Sequence, residues 1–149
     1  RSAFETTFGD ALPQVSSFVD EFANKAGLAA FELEGLLTNT GAVLQGIDFT
    51  AEASGDLGTK LASLAGDVAS FSNVQGGAQP VLEAFTKALL GENESLKSYG
   101  IAISAAEVET QAFEMTGKSS RNELTKQERA LATYELLLKN YLLQNSYYQ

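Results

Sequence analysis

Leu57-Gly58-Thr59-Lys60-Leu61-Ala62-Ser63-Leu64-Ala65-Gly66-Asp67-Val68-Ala69-Ser70-Phe71 decides the fold class, because its large apolar residues Leu57, Leu61, Leu64, Val68 and Phe71 step by 4, 3, 4 and 3. That spacing lines one face of a 3.6-residue helix and does not alternate as a half-buried strand would. Upstream, Thr50 is placed to accept the free N–H groups of a helix start, and Glu52 lies in the first turn, where the helix dipole favours an anion. This stretch is the most regular stripe in the chain and predicts the central packing helix.

The same periodicity extends in both directions. Leu12, Val15, Phe18, Val19, Phe22 and Ala26 predict a helix over about 11–26, with Pro13 in its first turn and Gly27 as its stop. Phe31, Leu36, Leu37, Val43 and Leu44 predict another over 29–45, which Gly35 and Gly41 each weaken by ~1 kcal/mol relative to Ala. Pro80 opens a fourth helix carrying Val81, Leu82, Phe85, Ala88 and Leu89 and closed at Gly91, and a short helix over Glu92 to Tyr99 ends at Gly100. Ile101-Ala102-Ile103 is too short to pair as a strand and reads as an apolar connection. Two capping boxes follow, Ser104-Ala105-Ala106-Glu107 and Thr125-Lys126-Gln127-Glu128. They open a helix over 105–116, stopped at Gly117, and a long final helix striped by Leu131, Tyr134, Leu138, Tyr141 and Leu142. The expectation is an all-α compact bundle of six or seven helices with a long C-terminal helix, as a single domain over 1–149. The predicted core includes Phe22, Leu57, Leu61, Leu64, Val68, Phe71, Phe85 and Leu89.

Composition narrows the chemistry. The 149 residues hold no His and no Cys, which removes zinc fingers, thiolate nucleophiles, disulfides and Ser-His-Asp catalysis. A net charge of −9 is the wrong sign for neutralising phosphates, so neither nucleic acid nor an anionic membrane surface is an expected partner. No stretch reaches the ~20 apolar residues that span a bilayer. The opening Arg1-Ser2-Ala3-Phe4-Glu5 lacks a signal peptide's apolar stretch, and the chain is expected to be an internal fragment of a longer protein.

Two constellations invite a chemical reading. Ala112-Phe113-Glu114-Met115-Thr116-Gly117-Lys118-Ser119 fits a relaxed nucleotide-loop pattern, but it covers a helix end, where carbonyls rather than N–H groups are free. The reading preferred here is a helix stop at Gly117 with Lys118 as a cation beside it. The pairs Glu32/Glu34, Glu92/Glu94 and Glu107/Glu109 are two apart, so on a helix they point to different faces and share neither proton nor metal. No catalytic, cofactor-binding or metal-binding residue is assigned. The surplus lies elsewhere: Leu131, Tyr134, Leu137, Leu138, Tyr141, Leu142 and Leu143 exceed one core-facing stripe, and four of the five tyrosines, Tyr134, Tyr141, Tyr147 and Tyr148, crowd the end. Leu137, Leu138, Tyr141 and Leu142 are the candidate interaction residues, for a partner or a second copy.

Several stretches together resemble the helical module of phage tail tape measure proteins: Phe22 through Leu28, Leu61 through Val74, and Ala88 through Ser104. The last is the most specific, since Gly91-Glu92-Asn93-Glu94-Ser95-Leu96-Lys97-Ser98-Tyr99-Gly100-Ile101 is similar to the family's Gly-Glu-x-Glu-x-Leu-Lys-x-x-Gly-Ile run. Leu124, Thr125, Glu128 and Tyr134 fill a second family stretch. Ala29 departs by standing where such sequences often carry a capping Ser, and Gly76-Gly77 replaces a more helix-friendly start. The resemblance covers roughly 18–140 and implies a structural virion component involved in tail assembly, tail-length determination and DNA passage during ejection. It implies no cofactor, residence in the tail lumen or tip after assembly in the host cytoplasm, and tube, tip or assembly-chaperone proteins as partners. Gly91, Leu96, Gly100 and Ile101 would then serve a structural role, the glycines as left-handed helix stops and the apolar residues as anchors. The alternative from the residues alone is a non-viral helical protein-binding module without catalysis.

Overall fold

Backbone hydrogen bonding in the computed structural model, which describes residues 2–147 and Tyr147 by its backbone alone, makes the chain all-α, with no strand among the described residues. The described residues form seven α-helices: α1 (Ala3–Phe8), α2 (Leu12–Phe22), α3 (Ala30–Gly46), α4 (Ala51–Phe71), α5 (Ala78–Leu89), α6 (Ala105–Thr116) and α7 (Lys126–Tyr147). Three short 3₁₀ segments cover Gly9–Ala11, Glu94–Tyr99 and Arg121–Glu123. The chain divides into two compact units, Arg1–Glu83 and Ala84–Gln149, with the division inside α5.

Three differences from the sequence reading have physical causes. Helix α1 was not anticipated; Ser2 and Glu5 form a capping box, and Phe4 and Phe8, one turn apart, are both buried in edge-to-face contact at 5.5 Å. The helix expected to reach residue 26 stops at Phe22, because the chain turns through Ala23–Gly27 and closes with Leu28 N–H donating to the Ala23 carbonyl. The segment expected as a short helix over Glu92 to Tyr99 forms a 3₁₀ turn over Glu94–Tyr99.

In the first unit α1 lies against α3 and α4. Phe8, Val15, Val19, Leu33, Leu37, Leu44 and Leu61 are fully buried or nearly so, each side chain worth about 1.5–3 kcal/mol when removed from water. Close approach depends on small residues: a Cβ at Gly41 would stand 2.8 Å from the Phe8 ring, and one at Gly55 would stand 3.0 Å from Val15. A partly buried polar node joins the same helices. Gln45 Nε2 donates to the Thr7 carbonyl at 2.7 Å and to Ser54 Oγ at 2.9 Å, and the Ser54 hydroxyl donates to the Ala51 carbonyl.

The α4 stripe is inward except at its end. Leu57, Leu61, Leu64 and Val68 are buried, whereas Phe71 is 37% exposed, because it is the last helical residue and the chain reverses at Asn73, whose φ is +51°. Phe22, also expected in the core, is half-buried. Its ring lies over Gly66, where a Cβ would meet it at 2.5 Å, and stacks on Phe18 at 4.9 Å. Phe85 and Leu89 of α5 are buried as expected.

Candidate interaction surface

The run from Gly91 to Ser104 makes two successive chain reversals of one design. At the end of α5, Glu92 N–H donates to the Lys87 carbonyl across Gly91, whose φ is +92°. Nine residues later Ile101 N–H donates to the Leu96 carbonyl across Gly100, at φ +73° and ψ +20°. Both are six-to-one closures about a left-handed residue, which glycine adopts without the steric cost other residues incur. Leu96, Ile101 and Ile103 are buried and anchor the turns, and Asn93 Nδ2 donates to the Ile103 carbonyl at 3.0 Å. The polar residues of the run stay outside: Glu94 and Lys97 form an exposed pair at 3.2 Å. The arrangement sets backbone direction, and the buried Asn93 Oδ1 is left without a hydrogen-bond partner.

Gly117 has φ +73° and closes α6, with its N–H donating to the Phe113 carbonyl. Lys118 Nζ is committed to the Glu123 carbonyl at 2.9 Å and to Glu128 Oε1 at 2.8 Å, so the nucleotide-loop pattern is occupied by a helix stop and an ion pair. Glu32, Glu107 and Glu128 serve helix starts. Glu107 accepts from Ser104 N–H at 3.0 Å and Glu128 from Thr125 N–H at 2.9 Å, completing the two boxes read in the sequence. At α3 half of a box survives: Glu32 accepts from Ala29 N–H at 3.0 Å, and Ala29 offers no side-chain acceptor in return. Among the described residues no group of three His, Cys, Asp or Glu is placed to hold a metal.

Helices α6 and α7 form the antiparallel pair of the second unit, tied by polar contacts along its length. Glu109 accepts from Arg121 Nε at 2.9 Å and Arg129 Nη1 at 3.2 Å, while Lys139 donates to Gln111 at 2.7 Å. The Arg121 hydrogen bond, followed by that from Arg129, holds the Glu109 carboxyl below its usual range, and the Lys118 contact does the same for Glu128.

Helix α7 corrects the face expected from its large residues. Ala130, Ala132, Thr133 and Leu137 are buried and mark the inward side, an arc centred more than one residue step of about 100° from the stripe of Leu131, Tyr134, Leu138, Tyr141 and Leu142. Leu137, expected as an interaction residue, is fully buried and belongs to the core. Leu138 and Tyr141 are half-buried, and Leu142 is 53% exposed. Leu131 and Leu143, at 38% and 75%, are further exposed apolar side chains on this helix. Tyr148 lies outside the described residues, as does the side chain of Tyr147. No described helix is long and apolar enough to cross a membrane. Compared with family models, curated proteins and solved structures, the chain matches none.

Proposed function

We propose that this chain is a structural helical module of a phage or prophage tail tape measure protein, acting through protein contacts in tail assembly and without catalysis. The supporting observation is the use made of the run that carries the resemblance. Gly91 and Gly100 occupy left-handed backbone, and Leu96 and Ile101 are buried, so the family-like positions are those that determine shape. A helical segment could contribute length or a docking surface. All 149 residues as one helix would reach ~220 Å, whereas α7, with 22 residues, spans about 33 Å. The folded segment therefore serves as a docking module, contacting tube, tip or assembly-chaperone proteins through exposed side chains such as Leu143.

In-frame deletion of the codons for residues 1–149 from the parent gene, followed by electron microscopy of the particles, tests this reading. The expected result is tails that fail to assemble or differ from the parental length. Particles with tails of normal number and length would refute it and favour a protein-binding module outside the virion.

A further inference from the structure

We propose that α7 pairs antiparallel with α7 of a second copy of this chain through the stripe Leu131, Leu138 and Leu142. At 100° per residue these three leucines fall within about 40° of one another around the helix, in the arc left between buried Ala130 on one flank and buried Ala132 on the other. Leu131 and Leu142 are 38% and 53% exposed and Leu138 between them is half-buried, so the stripe is apolar surface that this copy covers only in part.

The order of charges beside the stripe selects the occupant. Glu135 and Lys139 flank Leu138 on the same side of α7, giving the order Leu131, Glu135, Lys139, Leu142 at nearly even spacing. That order is self-complementary when reversed. An antiparallel pairing with its two-fold beside residues 136 and 137 sets Leu131 against Leu142 of the second copy. It also brings Glu135 within one residue step, about 1.5 Å along the axis, of the opposing Lys139, and does so twice. Parallel pairing would set Glu135 against Glu135 and Lys139 against Lys139, which like charge disfavours. Lys139 keeps its charge available, because its partner within the chain, Gln111, is neutral.

The charge distribution points to the same segment. Residues 1–117 carry five basic against sixteen acidic side chains, net −11, whereas residues 118–149 carry five against three, net +2. Two copies therefore repel through most of their surface and least through the segment holding α7. One helix face offers less than the ~800 Å² per partner of a standard interface, so the dimer is weak and concentration-dependent.

The absence of native cysteine makes the register directly readable. Leu131→Cys and Leu142→Cys chains, mixed and mildly oxidised, are expected to cross-link to each other far more than either does alone. Sedimentation of the unmodified chain should show a monomer near 10 µM shifting towards dimer at several hundred µM. Glu135→Lys should weaken association roughly five- to tenfold, and adding Lys139→Glu should restore it. Leu142→Asp should abolish it, with the circular dichroism melt of each variant confirming that it folds. A folded chain that stays monomeric at several hundred µM overturns the proposal, as does cross-linking of each cysteine variant with itself. Failure of the double charge reversal to restore association does so too.

Discussion

Alanine should have opposite effects at Gly35 and Gly41, two glycines less than two turns apart on α3. Both are helix-interior positions, so each substitution recovers about 1 kcal/mol of helix propensity. At Gly35 nothing lies within 4 Å of the added Cβ, and the gain should appear in full. At Gly41 the Cβ would meet Phe8 Cζ at 2.8 Å, Phe8 Cε1 at 2.9 Å and Thr7 Cγ2 at 3.0 Å. Phe8 is completely buried and has no solvent to turn into. Overpacking of this kind costs about 1–3 kcal/mol, so Gly41→Ala should be neutral to ~2 kcal/mol destabilising, and the two variants should differ by ~1–3 kcal/mol. Urea unfolding followed by far-ultraviolet circular dichroism measures the difference. Combining Gly41→Ala with Phe8→Leu should recover part of the loss as a coupling of at least ~0.5 kcal/mol. If Gly41→Ala stabilises as much as Gly35→Ala, the close contact between α1 and α3 is wrong.

Leu137→Ala should cost ~2–5 kcal/mol because the side chain is fully buried, whereas Leu143→Ala, on a residue 75% exposed, should leave the urea midpoint nearly unchanged. Gly100→Val should destabilise by roughly 1–3 kcal/mol, since a β-branched residue would be forced to φ +73°; a thermal melt equal to that of the parent would contradict this. Acid should weaken the α6–α7 pair. Glu109 and Glu128 are held below their usual range by Arg121 and Lys118, so their stabilisation is present above the unfolded value of ~4.3 and disappears as pH falls through the lower folded values. Burial raises Asp67, which contributes the opposite slope, so Glu109→Gln with Glu128→Gln should flatten the acid titration of stability and Asp67→Asn should steepen it. An unchanged slope in the Glu double variant would refute the linkage.

Elements whose signals are local and paired were legible in the sequence. Thr50, the Ser104/Glu107 and Thr125/Glu128 boxes, and the glycines at 100 and 117 marked helix ends within a residue or two of those observed. Helix α1 escaped because six residues are too few to show a period, although Ser2 and Glu5 carry a box of the same spacing. The face of α7 escaped for a different reason. Its inward positions include Ala130 and Thr133, small residues that suit close helix packing, so a reading weighted by large side chains selects the outer leucines instead. Phe22 and Phe71 were assigned to the core by spacing alone, and spacing does not report that a helix is ending or that a neighbour has only a glycine beneath the ring. The candidate surface was thus legible as a surplus of leucines, while which of them remain free required the fold.

The most direct test of the proposed virion role is mass spectrometry of purified particles, intact and after triggered DNA ejection, quantifying tryptic peptides from residues 1–149. A tape measure module is expected to be present in intact particles and depleted from the emptied ones. Absence from intact particles, or equal amounts before and after ejection, would contradict the account.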